Sequence, residues 1–95
     1  MQLHQINQLA YPSDIEQTWR SALQLGDSVL LLEEAMLRST AQHDILEALI
    51  EAKQLSLFYL QSDALAYGVT PTLGTALSDE EWVTITLSAD ANISW

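Results

Sequence analysis

The pattern of hydrophobic and polar positions changes most sharply between Gly26 and Glu34. A Gly26-Asp27 turn is followed by the apolar run 29–32, which stops at two carboxylates, Glu33 and Glu34. A short continuous apolar run between turn signals is typical of a strand that is buried on both faces of a sheet. In such sheets, ligands and reactive groups gather beyond the carboxyl ends of the strands. The run therefore predicts a central strand, and its exit is the first candidate location for function.

One strand and one helix are predicted before this run. Residues 1–7 form a short first strand. Ser13 and Glu16 have the spacing of a capping box, in which each side chain accepts a backbone N–H at the start of a helix. The helix is expected to end at Gly26, with strand two over residues 27–32. One face of the helix carries Ile15, Trp19, Ala22 and Leu23.

The middle of the chain repeats this alternation. Ser39 and Gln42 form a second predicted capping box, and residues 55–60 are a third strand. Asp63 is expected to cap a short helix over 64–67 that stops at Gly68, before a weak fourth strand near 73–77. The helix after Gln42 has an apolar stripe of Ile45, Leu46, Leu49 and Ile50, with Asp44, Glu47 and Glu51 facing water.

The last part of the chain carries two conflicting signals. Residues 83–87 alternate between apolar and polar, which predicts a strand. Ser78 and Glu81, however, form a third capping box, which predicts a helix. Residues 92–95 favour a terminal strand. The whole pattern predicts one α/β domain over residues 1–95, with three layers and a mostly parallel four- to five-stranded sheet flanked by helices.

Composition narrows the range of partners. The 95 residues carry a formal net charge of −10, and the basic side chains are Arg20, Arg38 and Lys53. So few scattered cations cannot neutralise nucleic acid or an anionic membrane, so neither is an expected partner. A hydrophobic fraction of 48% favours an oligomer, and the acidity favours a basic protein partner. No signal peptide or membrane span is visible, so the cytoplasm is the expected compartment.

Candidate chemistry is sparse. The sequence has no cysteine, which excludes a thiolate nucleophile or a persulfide carrier among these residues. The glycines are too dispersed for a phosphate loop. His4 and His43 lack the spacing of metal ligands, so no metal or other cofactor is expected. His4 is expected to have a structural role, and His43 to be a solvated surface residue.

The strand exit and the tryptophans are the candidates for contact with a partner. Glu33 and Glu34 are adjacent and point in different directions, which disfavours a general acid–base pair and favours a solvated exit or a docking contact. Trp19 is expected in the core, whereas a tryptophan at position 95 would fray unless it docked. No catalytic residue is assigned. The interface candidates are Glu33, Glu34, Met36, Trp82 and Trp95.

Three segments resemble one family in their order and spacing. They are residues 26–34 (GDSVLLLEE), 60–69 (LQSDALAYGV) and 93–95 (ISW), and they are similar to the TusB/DsrH family. The middle segment, with Asp63, Ala66 and Gly68, is the most specific. The resemblance implies a DsrE-like α/β fold and a sulfur relay. Relatives assemble with TusC and TusD as a heterohexamer that passes persulfide sulfur from TusA towards TusE for 2-thiolation of the tRNA wobble uridine.

The resemblance also implies that the reactive cysteine belongs to the TusD-like partner. Some relatives carry a cysteine on the first helix, and Trp19 stands at about that place here. The chain is therefore expected to be a non-catalytic subunit. The family often has Asp-Gly after strand two, where this chain has Glu34-Ala35, so the family's turn geometry is not expected to hold. The family places a helix over residues 83–87, which together with the capping box favours a helix there.

Three other interpretations remain open. The chain could be a DsrH-like subunit of the DsrEFH complex of sulfur oxidisers. It could be a stand-alone homo-oligomeric binding module that uses the strand exits near Glu33 and Leu60. It could also be an enzyme of its own, which would require Glu33, Glu34, Asp63 and His4 to converge.

Overall fold

The computed structural model describes all 95 residues, from Met1 to Trp95. Its strands are β1 (Gln2–Ile6), β2 (Ser28–Leu31), β3 (Ser56–Leu60), β4 (Thr75–Leu77) and β5 (Ala91–Ser94). Its helices are α1 (Ser13–Ala22), α2 (Arg38–Ala41), α3 (His43–Lys53), α4 (Gln61–Ala66) and α5 (Asp79–Ser88), and a 3₁₀ helix spans Glu33–Leu37.

β2 is the central strand of a five-stranded sheet. The strand order is β4-β3-β2-β1-β5, and every pairing is parallel. Leu31 of β2 lies between Ile6 of β1 and Tyr59 of β3. All residues of β2 are buried, which confirms the central strand predicted from the apolar run. The predicted α/β fold is therefore confirmed, with a sheet that is parallel throughout.

Two apolar clusters lie on opposite faces of this sheet, because successive side chains of a strand alternate between faces. The larger cluster joins Val29 and Leu57 to Trp19 of α1 and Leu46 of α3, so the prediction that Trp19 lies in the core is confirmed. α5 is the only helix that packs against the smaller cluster. The buried residues of that smaller cluster are all leucines: Leu3, Leu30, Leu60 and Leu77.

The first predicted capping box does not form. α1 begins at Ser13, with Pro12 at the N-cap and no side-chain cap. Glu16 accepts a hydrogen bond from the backbone N–H of Tyr11 (2.8 Å) and pairs with Arg38 instead. A charged donor forms a stronger hydrogen bond than a neutral amide, so Arg38 draws the carboxylate away from its own helix start.

α1 also ends at Ala22 rather than at Gly26. Gly26 lies in the turn before β2 with φ of +80°, a conformation that suits glycine. Its N–H donates to the carbonyl of Lys53 (3.0 Å), which lies at the end of α3. Gly26 therefore fastens the α1–β2 connection to the neighbouring helix rather than terminating α1.

The second predicted capping box is also wrong. Ser39 lies within α2, and its Oγ donates to the carbonyl of Met36 (2.7 Å). α3 begins at His43, after Gln42 at the N-cap, and no side chain caps it. The chain is already helical after β2, so Ser39 has no free helix start to cap.

α3 packs against the sheet through part of the predicted stripe. Leu46 is buried and Leu49 and Ile50 contact the larger cluster. Ile45, the fourth residue of the predicted stripe, is 44% exposed and lies outside that cluster. Asp44 and the other acidic residues of the helix are exposed, as predicted.

Residues 83–87 form part of a helix, α5, as the third capping box predicts. Ser78 Oγ accepts the N–H of Glu81 (3.1 Å), and Glu81 Oε1 accepts the N–H of Ser78 (2.9 Å). The apolar alternation over these residues therefore misleads as a strand signal, because the cap and the packing against β4 override propensity. The terminal strand is confirmed as β5, which pairs with β1.

Candidate functional site

The chain leaves β2 through a left-handed residue. Glu33 has φ of +50°, which a residue with a side chain rarely adopts. Its N–H donates to Asp63 Oδ2 of α4 (2.8 Å). The prediction that Asp63 caps its own helix is wrong, because α4 begins at Gln61 and the carboxylate turns towards Glu33. This cross-link joins the carboxyl ends of β2 and β3.

The carboxylate of Glu34 makes a similar hydrogen bond beyond the carboxyl end of the neighbouring strand, β1. Glu34 Oε1 accepts the N–H of Leu9 (3.1 Å), in the loop after β1. Glu33 and Glu34 are both exposed, and neither they nor Asp63 line any of the surface depressions in the structure. The edge where α/β folds usually bind small molecules is thus an acidic surface held by side chain–backbone hydrogen bonds.

Arg38 is the most enclosed charged group in the molecule, with 0% of its surface exposed. Its Nη1 donates to Glu16 Oε2 (3.2 Å), and its Nε donates to the carbonyl of Gln8 (2.7 Å). The guanidinium carbon lies 5.4 Å from the ring centroids of both Tyr11 and Trp19. This cluster ties α1, α2 and the β1–α1 loop together.

The Arg38 cluster sets the protonation state of Glu16. Burial on its own raises the pKa of Glu16, but the hydrogen bonds from Arg38 and from the N–H of Tyr11 outweigh it and lower the pKa to about 2. Glu16 is therefore a fixed anion, whose counter-ion is a buried cation. Such a pair holds structure in place and has no proton to offer near neutral pH.

A second buried polar cluster joins β1 to the end of the chain. His4 Nε2 lies 3.0 Å from Asp27 Oδ2, and Trp95 Nε1 donates to His4 Nδ1 (3.2 Å). Since Nδ1 accepts this bond, Nε2 carries the hydrogen that is donated to Asp27. Burial on its own would raise the pKa of Asp27. Hydrogen bonds from the Gln24 N–H, His4 and the Gln2 N–H outweigh this effect, so the pKa of Asp27 is lowered overall. His4 thus has two partners and no exposed surface.

His43 lies on the surface, as predicted. Its Nε2 lies 3.3 Å from Thr72 Oγ1 and its Nδ1 lies 3.3 Å from Asp44 Oδ1. Thr40 and Thr72 help to line a depression of about 310 Å³ beside it, which is open and lacks hydrophobic lining residues. No group of three or more histidine, aspartate or glutamate side chains could hold a metal ion.

The structure separates the predicted interface residues instead of gathering them. Met36 is 0% exposed within the larger cluster, so its assignment to an interface is wrong for this fold. Trp95 packs on the larger cluster and Trp82 on the smaller one, so they lie on opposite faces of the sheet. Interface roles for Glu33, Glu34, Trp82 and Trp95 stay predictions. The convergence that the enzyme interpretation requires is not seen, because His4 is hydrogen-bonded to Asp27 and Trp95 and to none of the three carboxylates.

Sequence patterns miss two features of the structure, one in the core and one on the surface. Arg38 is only a scattered cation in the sequence, and no local signal pairs it with Glu16. The outward side of α5 is the other feature: Val83 is 56% exposed and Leu87 is 81% exposed. The four-residue spacing of Val83 and Leu87 could have indicated a second apolar face once a helix was assumed.

Comparisons with known proteins agree with this fold. The model of the DsrH family, described as "DsrH like protein", matches residues 11–92. The crystal structure of the YchN protein from E. coli superposes with a TM-score of 0.65 and 17% sequence identity, over 100% of both chains. At that identity the superposition is evidence about the fold alone. A search of curated proteins finds no match. No helix is both long and apolar enough to cross a membrane.

Proposed function

We propose that this chain, which belongs to the DsrH-like family, is a non-catalytic subunit of a TusBCD-like complex. Membership of that family supports a role as a sulfur-relay subunit. In this proposal it assembles in the cytoplasm with TusC-like and TusD-like subunits, two copies of each. The complex supports persulfide transfer towards 2-thiolation of the tRNA wobble uridine.

The observation that carries the proposal is a family match over residues 11–92 in a sequence without cysteine. Persulfide transfer runs through a thiolate that attacks and then holds the sulfane sulfur. None of these side chains can form that thiolate. A sulfur-relay role for this chain is therefore best explained by a neighbouring subunit that carries the sulfur.

The geometry of the strand exits is consistent with a supporting role. The carboxylate of Asp63 accepts a hydrogen bond from the backbone N–H of Glu33, and that of Glu34 accepts one from the backbone N–H of Leu9. His4, the only buried histidine, is enclosed between Asp27 and Trp95. The side chains of Asp63, Glu34 and His4 are thus engaged in holding the fold.

Assembly is the first test. We expect the chain, co-expressed with the TusC-like and TusD-like subunits of its own source, to co-elute with them in size-exclusion chromatography at the mass of two copies of each. Elution of this chain alone, while the other two subunits form their complex without it, would contradict the proposal.

Sulfur transfer is the second test. The assembled complex is loaded with ³⁵S by a cysteine desulfurase and TusA, and its subunits are separated under non-reducing conditions. We expect label on the TusD-like subunit and none on this chain. Label that stays with this chain after separation would overturn the non-catalytic role.

The pathway is the third test. Deletion of the gene is expected to remove the 2-thio group of the wobble uridine, measured by mass spectrometry of tRNA nucleosides, and the wild-type gene is expected to restore it. Unchanged 2-thiouridine combined with lost oxidation of reduced sulfur compounds would assign the chain to a DsrEFH-like complex instead.

A further inference from the structure

The two faces of the sheet are covered unequally. Side chains of α1, α3 and α4 pack against the larger cluster, but α5 alone packs against the smaller one. Trp82 and Ile85 of α5 face the sheet, yet no residue of α5 is buried. A helix that covers one face of a sheet by itself, and in which no residue is fully buried, forms an incomplete layer.

The outer side of α5 is apolar where a solvated helix would be polar. Val83 and Leu87 are one turn apart, and they are 56% and 81% exposed. Together with Trp82 and Thr86 they line a depression of about 190 Å³. These four residues, called the α5 patch below, offer an apolar side chain of a partner both a pocket and two flanking contacts.

A polar group inside the α5 patch also lacks a partner. Trp82 Nε1 is buried and has no hydrogen-bond acceptor in the chain. Buried indole N–H groups usually have an acceptor, since leaving one unpaired is unfavourable. An acceptor presented by a bound protein would supply the partner that this N–H lacks.

The negative charges around the α5 patch favour a partner with a basic surface. Asp79, Glu80 and Glu81 occupy the first turn of α5, and the chain carries a formal net charge of −10. A second copy of this chain would bring the same carboxylates and the same excess charge to the contact. A different protein with lysine or arginine beside an apolar side chain would meet complementary charge.

We propose that the α5 patch docks a sister subunit of the complex, through an apolar side chain seated between Trp82 and Leu87 and a basic rim opposite Asp79 and Glu80. The inference rests on the proposed function, because it takes its partner from that complex. A stable interface needs about 800 Å² on each side, so the α5 patch is the apolar centre of a larger contact.

The apolar part of the inference is tested with Leu87→Glu and the matched control Leu65→Glu. Leu65 is also on a helix and is 76% exposed, but it lies outside the α5 patch. Affinity for the TusC-like and TusD-like subunits is measured by calorimetry, and folding by circular dichroism. We expect Leu87→Glu to weaken binding at least about tenfold and Leu65→Glu to leave it unchanged, with both variants folded.

The possible outcomes separate this inference from the proposed function. Wild-type-like binding by Leu87→Glu overturns the docking site and leaves the proposed function standing. Failure of the wild-type chain to bind either subunit overturns both. A homodimer of the isolated chain that Leu87→Glu dissolves, seen by sedimentation equilibrium, assigns the α5 patch to a second copy and overturns the inference.

The basic rim is tested by the rate of association. Asp79→Asn with Glu80→Gln removes two charges beside the α5 patch, and Asp44→Asn with Glu47→Gln removes two exposed charges from α3 as the control. We expect the α5 pair to lower the association rate about threefold or more and to flatten its salt dependence, whereas the α3 pair has little effect. Equal rates for the two pairs would contradict a basic rim.

Trp82→Phe tests the unpaired N–H, because it keeps an aromatic ring and removes the donor. We expect it to weaken the complex and to leave the melting temperature of the isolated chain unchanged or higher. Unchanged affinity would contradict a hydrogen bond from Trp82 to the partner.

Discussion

Arg38 and Glu16 form an ion pair within the molecule, although they are 22 residues apart in the chain. Arg38 is fully buried, and 17% of the Glu16 side chain is exposed. The pair joins α1 to α2, and the guanidinium carbon of Arg38 lies 5.4 Å from the ring centroids of both Tyr11 and Trp19. A buried ion pair is costly to break, because removing one partner leaves the other charge without compensation.

Arg38→Met is therefore expected to destabilise the fold by about 3–5 kcal/mol, since it leaves Glu16 charged and without its buried partner. Arg20→Met is the control, because Arg20 pairs with the same carboxylate but is 35% exposed. It is expected to cost less than about 1 kcal/mol. Urea denaturation measures both, and similar costs for the two variants would show that burial of Arg38 does not matter.

Stability is expected to fall at acidic pH through Glu16. The pKa of Glu16 is about 2 in the folded chain and near its ordinary value of 4.5 when the chain is unfolded. A lowered folded pKa gives stability that is present above 4.5 and is lost as pH falls towards 2. Asp27, whose pKa is also lowered, acts in the same direction.

The measurement is the free energy of unfolding of the wild type and of Glu16→Gln between pH 6 and pH 2.5. The variant cannot gain a proton at this position, so its curve should be the flatter of the two. Parallel curves would assign the acid sensitivity to other carboxylates.

Glu33→Gly is expected to stabilise the chain by about 1 kcal/mol, because Glu33 adopts φ of +50° and glycine reaches that conformation without a clash of Cβ. The hydrogen bond from its N–H to Asp63 is unaffected by the substitution. Glu34→Gly is the control, and it should be neutral or destabilising because it loses the bond to Leu9. A destabilised Glu33→Gly would indicate that the Glu33 side chain contributes more than the strain costs.

Ser78→Ala is expected to cost about 1 kcal/mol, since it removes the side-chain cap of α5. Ser13→Ala is the matched control: it has the same sequence spacing to a glutamate, but no side chain caps α1. Its effect should stay within about 0.5 kcal/mol. Thermal denaturation checks both, and equal losses would show that the two boxes are equivalent in solution.

Trp95→Phe is expected to destabilise the chain by about 1–3 kcal/mol, because it leaves buried His4 Nδ1 without its donor. The isolated chain with Trp82→Phe provides the comparison, since that indole N–H has no partner to lose. A smaller loss for Trp95→Phe than for Trp82→Phe would contradict the His4–Trp95 hydrogen bond.

Local patterns were sufficient for much of the architecture. The apolar run before Glu33 predicted the central strand, because a strand buried on both faces needs apolar side chains at every position. Ser78 and Glu81 predicted α5 against the β propensity of the residues that follow. Ser13 and Ser39 carry the same local signal, yet neither caps a helix, because Glu16 is claimed by Arg38 and Ser39 is already inside α2.

The contacts of the candidate-site residues were harder to predict from such patterns. Glu33 and Glu34 were found at the strand exit, as the direction of a parallel strand requires. Asp63, which accepts the hydrogen bond from the N–H of Glu33, is 30 residues away in the chain. The sequence instead predicts it as the cap of its own helix. Met36 is predicted as an interface residue, although the 3₁₀ helix after β2 places it in the core.

Order along the chain therefore specifies the strands, most of the helices, the family and the lack of a thiol. These follow from side-chain chemistry and periodicity, which each residue carries wherever it lies. The pairs Arg38–Glu16, Glu33–Asp63 and His4–Trp95, and the exposed α5 patch, depend on which strands are neighbours and on which face each helix packs. Such contacts join distant residues, so only the folded sheet brings their atoms within hydrogen-bonding distance and leaves one face of α5 uncovered.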